Sequence, residues 1–306
     1  MITHILCPID RSVVSRRAFD YAVSLARWAG ARLTVLEVID VNPPMTTGAI
    51  LDMMVVPEEL RQGVRQELTD LVGPAEAAGI TADVRVEEGR VAERVLHVAG
   101  DLPADLIVMG THGRSGVQRL VLGSVAEKII RQADCPVLAV PPGDAHVPSS
   151  DTPFRTILCP TDFSEVSAAA VALAGRLAAR ARARLILLHV IDWPFGHTSG
   201  PDPVTALRES LLAQAARELT PVLPPALPGV PPAEVLAEVG NPARQVIAVA
   251  QHRSVDLVVM GASGRGALDL AVLGSTTHRV LREACCPVLT VHRAADAVGP
   301  AHPPAR

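Results

Sequence analysis

Lysine is almost missing from this chain: Lys128 is its only one. Cationic chemistry therefore falls to arginine or to backbone N–H groups, and a nucleotide motif that needs a lysine has a single place to find it. Aromatic residues make up 2% of the 306 positions. A planar ligand would be gripped by aliphatic side chains and backbone rather than by stacking, which implies modest selectivity among bases. No apolar run reaches the roughly 18 residues of a membrane span. The opening Met1-Ile2-Thr3-His4-Ile5-Leu6-Cys7-Pro8 reads as a buried strand and not as a secretory signal, which needs a basic start and a longer apolar stretch. A cytoplasmic location is the expectation. The five cysteines (Cys7, Cys135, Cys159, Cys285 and Cys286) have the spacing of neither a disulfide framework nor a C-x-x-C zinc site. They read as small buried apolar side chains, with the adjacent Cys285-Cys286 pair as the one redox candidate. Net charge is −4 with basic residues scattered, which argues against a nucleic-acid footprint.

What is present is globular: 49% apolar and 20% charged residues, in a length sufficient for two domains with cores of their own. The chain is also a tandem repeat. Ile5-Leu6-Cys7-Pro8-Ile9-Asp10 returns as Ile157-Leu158-Cys159-Pro160-Thr161-Asp162, an offset of 152. The run beginning Arg32-Leu33 and ending Val38-Ile39-Asp40 returns from Arg184-Leu185 to Val190-Ile191-Asp192, and Cys135-Pro136-Val137 returns as Cys286-Pro287-Val288. Within each copy, short Val/Ile/Leu runs alternate with stretches of helical period. Ser12–Ala29 is a helix candidate capped by Ser12; Val91, Val95, Val98 and Ala99 form one apolar stripe, as do Val125, Ile129 and Ile130. The strands are continuously apolar, as expected where helices cover both faces. Each half thus reads as an α/β doubly wound domain, a five-stranded parallel sheet with crossover helices. The expected domains are 1–142 and 154–293, joined by a polar linker at 143–153 and followed by a disordered tail at 294–306. Val41–Pro57 and Trp193–Val204 are expected to be loops over the carboxyl edge of the sheet, where ligands bind in such folds.

The chemical lead is a duplicated glycine segment. Gly110-Thr111-His112-Gly113 follows an apolar strand ending in Met109, and nine residues separate it from Gly123-Ser124; Gly261-Ala262-Ser263-Gly264 follows Met260, and nine residues separate it from Gly274-Ser275. Strand, glycine turn, loop and a helix start can hold phosphate with backbone N–H groups. Gly110 and Gly261 are expected to turn the chain sharply, Gly113 and Gly264 to take positive φ, and Gly123 and Gly274 to admit close approach of an anion. Ser124 and Ser275 would cap the helix or bond a phosphate oxygen. A purely structural helix start gives the same pattern. No G-x-x-x-x-G-K-[ST] and no G-x-G-x-x-G after the first strand is present. That strand instead ends in Asp10 or Asp162, a carboxylate that could accept bonds from a nucleoside or cap the following helix.

The string G-x-x-G-x9-G-[ST], with P-x-D-x-S after the first strand and V-I-D after the second, resembles the universal stress protein family over nearly the whole chain, as two tandem domains. The resemblance implies strand order 3-2-1-4-5 and ATP binding. It also implies pairing of the domains through their fifth strands (Pro136–Val140 and Pro287–Val291), with a homodimer as a further assembly and a protein partner of unspecified kind. Carried over by position, Pro8, Ile9, Asp10 and Val38 would hold adenosine in the first half, and Met109, Gly110, Gly113, Gly123, Ser124 and Val125 would surround ribose and phosphates. The second-half counterparts are Pro160, Thr161, Asp162, Val190, Met260, Gly261, Gly264, Gly274, Ser275 and Thr276. The halves depart from the family pattern unequally. Arg11 stands where the second copy has Phe163, Glu37 where it has His189, and Gly89-Arg90-Val91 where it has Gly240-Asn241-Pro242. The second half is the closer of the two around the base.

Neither His112 nor His278 is matched between copies, and both read as surface side chains. No His/Asp/Glu cluster has metal-ligand spacing, so a Mg²⁺ would lean on phosphates and water. Three readings follow: a nucleotide-responsive stress regulator, a slow ATPase or autophosphorylating protein, and a nucleotide-free interaction module. The first is the expected one.

Overall fold

The computed structural model describes residues 2–41, 56–112, 122–143, 153–192, 203–223, 229–264 and 273–292. In the first half, β1 (His4–Ile9), β2 (Arg32–Ile39), β3 (Ala82–Glu88), β4 (Leu106–Gly110) and β5 (Val137–Val140) alternate with α1 (Val13–Ala29), α2 (Glu58–Ala77), α3 (Val91–Asp101) and α4 (Ser124–Gln132). The second half repeats this with β6 (Thr156–Pro160), β7 (Arg184–Ile191), β8 (Glu234–Val239), β9 (Leu257–Gly261) and β10 (Val288–Val291). Its helices are α5 (Glu165–Ala181), α6 (Pro203–Leu219), α7 (Pro242–His252) and α8 (Ser275–Glu283). The loops expected at Val41–Pro57 and Trp193–Val204 and the linker fall mostly outside the described residues, and the tail falls entirely outside them.

Strand order is 3-2-1-4-5 in each half, and all pairs within a half are parallel. The two fifth strands then pair antiparallel, Leu289 opposite Leu138 and Thr290 opposite Val137, so that ten strands form one sheet in the order β3-β2-β1-β4-β5-β10-β9-β6-β7-β8. At that junction the fully buried Thr290 donates its hydroxyl to the Val137 carbonyl at 3.3 Å. The inner strands β4, β5, β9 and β10 are buried at every position, as the unbroken apolar runs require. The outer strand β3 carries Arg85, Glu87 and Glu88 and is half-exposed, the charge pattern that protects a sheet edge.

Each face of the sheet has one continuous apolar cluster that crosses the junction. One joins α1 and α2 residues such as Phe19, Leu25 and Leu68 to α5 residues such as Leu177. The other joins Val95, Ile129 and Ile130 to Val246, Val280 and Leu281. Burying each such side chain contributes about 1.5–3 kcal/mol, so the halves share their cores rather than merely touching.

The local signals act as read. Ser12 caps α1 by accepting Ser15 N–H at 3.1 Å, and Ser164 caps α5 by accepting Ser167 N–H at 3.2 Å. Gly30 closes α1 in the left-handed region at φ 66°, but Arg182 takes the same conformation after α5 at φ 53°. The cysteines depart from expectation at two positions. Cys7, Cys159 and Cys286 are buried, whereas Cys135 is half-buried and Cys285 is exposed. Burial pushes the Cys7 and Cys159 thiols well above their ordinary range. A hydrogen bond with the Cys286 thiol lowers that of Cys285.

Candidate functional site

The carboxyl ends of β1, β2 and β4 and the start of α4 surround a cavity of about 610 Å³, within the ~300–1,000 Å³ usual for small-molecule sites. Pro8, Ile9 and Asp10 enter it from β1 and its exit, Val38 from β2, and Met109 and Gly110 from β4. Gly123, Ser124 and Val125 enter from α4. These are nine of the ten residues expected in the first half; the tenth, Gly113, lies outside the described residues. Val125, placed by helical period in the core stripe, is instead one of the more exposed apolar residues, and it turns to this cavity.

The turn after β1 is built alike in both halves. Asp10 Oδ1 accepts Ser12 N–H at 3.0 Å, and Asp162 Oδ1 accepts the N–H and hydroxyl of Ser164 at 3.1 and 2.6 Å. The aspartates thus bond the capping serine, and the serine caps the helix; the two roles are separate. The residue between them is left-handed in each copy, Arg11 at φ 66° and Phe163 at φ 62°. Strained backbone of this kind clusters at ligand sites, and nothing in the residue types Arg and Phe signals it. In the second half Thr161 is buried, its hydroxyl 3.0 Å from that of Ser167. Pro160 and Val190 are half-buried at the ends of β6 and β7, and Met260 is buried at the end of β9.

The glycine segment is used differently from the expectation in two respects. Gly264 does not take positive φ; a Cβ there would stand 2.7 Å from Asp162 Oδ2. The glycine is required by the approach of a carboxylate, not by backbone freedom. Gly110 and Gly261 likewise make room for α1 and α5, since a Cβ would meet Val14 Cγ1 at 2.8 Å and Val166 Cγ1 at 3.0 Å. The helix caps are Gly123 and Gly274 themselves, both near φ −62° with no side-chain cap bond. That sets Ser124 and Ser275 at the first helical position and Thr276 at the second, beside N–H groups without intrahelical partners. The neck of the loop is tied identically in both copies: Gly123 N–H donates to Thr111 O at 2.9 Å, and Gly274 N–H to Ala262 O at 2.8 Å. Thr277 adds a buried hydroxyl bond to Gly261 O at 2.8 Å.

His112 is not a surface side chain. It is half-buried, lines the first cavity, and its Nδ1 lies 2.8 Å from the Thr111 hydroxyl. Beside the aspartate turns the halves differ in kind. Glu37, 5% exposed, pairs with Arg11 at 3.0 Å, and Arg11 also reaches Glu67 at 3.0 Å. In the second half the Phe163 and His189 rings lie 4.7 Å apart, and His189 Nδ1 donates to the Thr161 carbonyl at 2.8 Å. Gly89 and Gly240 keep positive φ, 128° and 136°, but only Asn241 caps its helix with a side chain, accepting Arg244 N–H at 3.2 Å. Among the described residues no group of three His, Cys, Asp or Glu is placed to hold a metal, and no helix is long and apolar enough to cross a membrane.

Comparison with known proteins agrees with this architecture. A universal stress protein of Mycobacterium tuberculosis is 29% identical over 297 residues, covering 93% of this chain and 95% of its own. One from Methanocaldococcus jannaschii is 36% identical over 136 residues, 44% of this chain and 80% of its own. The crystal structure of a universal stress protein from Archaeoglobus fulgidus shares the fold over 95% of this chain and 98% of its own, with a TM-score of 0.67 at 23% identity. The family model of the universal stress proteins matches twice, over residues 1–141 and 153–292. The chain therefore belongs to the universal stress protein family, as a tandem member.

Proposed function

We propose that each half binds adenine nucleotide, with ATP as the ligand, and that the chain is a nucleotide-responsive stress regulator whose units are residues 1–142 and 154–293. The observation that carries this reading is the convergence of nine residues, from four separate segments, on one cavity of about 610 Å³. Its chemistry suits a nucleoside phosphate. Aliphatic Ile9, Val38 and Met109 offer apolar walls to a base, and Asp10 offers a carboxylate to ribose. The α4 N-terminus offers N–H groups and the positive end of a helix dipole to phosphate. In the second half Asp162, Gly264 and the α8 start carry the same roles. A Mg²⁺ accompanying ATP would be held by its phosphates and water.

Mass spectrometry of small molecules released from freshly purified, denatured protein should find an adenine nucleotide. Calorimetric titration should then give about two sites per chain. One site would confine the reading to one half. Protein that carries no nucleotide, and whose melting temperature ATP leaves unchanged, would end it.

A further inference from the structure

A second cavity, of about 470 Å³, opens at the amino ends of β6 and β7, away from the carboxyl ends where the nucleotide is placed. Four arginines line it, Arg155, Arg180, Arg182 and Arg184, over Phe154 and Pro231. Among the described residues, ion pairs reach only Arg184, through Glu234. Arg180 is fixed across the domain junction. Its Nη2 donates to the Trp28 and Ala29 carbonyls at 3.1 and 2.9 Å, and its guanidinium lies 4.7 Å from the centre of the Trp28 ring. One wall of the cavity is therefore rigid.

Two features set this cluster apart from the same place in the first half. It exists in one copy only: where the second half has Arg155, Arg180 and Arg182, the first has Thr3, Trp28 and Gly30, and only Arg184 has a counterpart, Arg32. Arg182 also sits in the left-handed conformation that Gly30 takes in the first copy without steric conflict. That conformation is the cap of α5, with backbone N–H bonds to the Ala178 and Ala179 carbonyls, and it holds the Arg182 side chain at the rim of the cavity. Guanidinium forks match phosphate oxygens in paired hydrogen bonds. Arg180 and Arg184 already hold the Trp28 and Ala29 carbonyls and Glu234, which leaves the forks of Arg155 and Arg182, one for each of two linked phosphates.

We propose that this cavity is an anion site, separate from the nucleotide sites, that takes an oligophosphate group. Inorganic triphosphate is the probe, titrated calorimetrically into wild type and variant alike, so that phosphate binding in the glycine loops, common to both, cancels in the comparison. The variant is Arg155→Thr/Arg182→Gly, which installs the first copy's residues. Arg182→Gly removes backbone strain, and Arg155 keeps its backbone N–H bond to Asp256 at 2.8 Å whatever its side chain; circular dichroism confirms the fold. The expected result is binding to the wild type, weakened at least about tenfold in the variant and falling with salt. Equal affinity in the variant, or no binding at millimolar triphosphate, overturns the proposal. If ATP itself fails to bind, the comparison of wild type with variant still decides this site, so the two readings fail separately.

Discussion

Gly264→Ala is the sharpest test of how the proposed nucleotide site of the second half is built. The new Cβ would stand 2.7 Å from Asp162 Oδ2, inside the 3.0 Å below which real Cβ contacts are essentially not seen. The carboxylate cannot swing away without cost, because Oδ1 is held by the N–H and hydroxyl of Ser164 at 3.1 and 2.6 Å. Hydrogen bonds to charged groups contribute about 1.5–3 kcal/mol, and replacing glycine by alanine returns about 0.4–1 kcal/mol through the unfolded chain. Giving up one bond therefore leaves a net loss of about 1–2 kcal/mol in urea denaturation. Asp162 would then be turned from its place, and titration should lose one of two ATP sites. Gly274→Ala is the control: its Cβ would meet nothing closer than 3.5 Å, so the fold and the place of Asp162 should be kept, at only the cost of alanine for glycine at a helix cap. Positive φ at Gly264 would have made alanine costly through backbone strain alone. Gly264→Ala with both sites intact and unchanged stability would refute the argument from carboxylate approach.

Other perturbations probe the frame. Leu138→Ala removes a side chain 1% exposed at the β5–β10 junction. It should cost about 2–5 kcal/mol, and because the apolar clusters cross that junction both halves should melt together; separate transitions would contradict the shared core. Burial lowers the His4 imidazole below its ordinary 6.5, and its Nε2 lies 2.8 Å from the Thr34 hydroxyl. The unfolded chain takes up that proton first, so this stability is present above pH 6.5 and lost as pH falls through the folded value. His4→Thr, the residue of the second copy, should flatten that limb of a stability–pH curve; an unchanged slope would count against it. Among the five thiols Cys285 should alkylate first in native protein, since it is exposed and its thiol is lowered by the bond with Cys286. Peptide mapping that finds Cys7 or Cys159 modified earlier would be inconsistent with the buried strand positions.

Most of the fold was legible because its signals are short-range. Ser12 before an apolar period, Gly30 after it, and the unbroken Leu106–Gly110 run each specify local structure by themselves, and the repeat supplies every signal twice. The junction of the fifth strands came from the family resemblance instead, since no pattern within Val137–Val140 says which edge will pair with it. The site was legible in membership but not in mechanism. The glycines were identified, yet Gly264 answers to Asp162, about a hundred residues away in sequence, and such a contact leaves no mark on local φ preferences. Arg11 and Phe163 were hidden for a related reason. Their left-handed backbone is imposed by the aspartate–serine turn, and arginine and phenylalanine carry no propensity that would announce it. His112 was misplaced because histidine suits surface and cavity equally well.

The unequal divergence of the two copies follows from what each part of the site must do. On the glycine side backbone atoms do the holding: Gly123 N–H to Thr111 O and Gly274 N–H to Ala262 O fix the loop neck. Any side chain added at Gly110 or Gly261 strikes α1 or α5. Substitution there is penalised by the fold itself, so the two copies stay alike whether or not their ligands remain the same. Beside the aspartate turns the groups are side chains on a frame that tolerates change, and Arg11–Glu37 has been exchanged for Phe163–His189 without disturbing either aspartate. An ion pair around a 5% exposed carboxylate presents charged acceptors and donors; a ring pair presents a flat, nearly apolar surface. Matching glycines therefore do not imply identical ligands. The side chains beside the aspartate turns are where the two halves of this chain differ in chemistry.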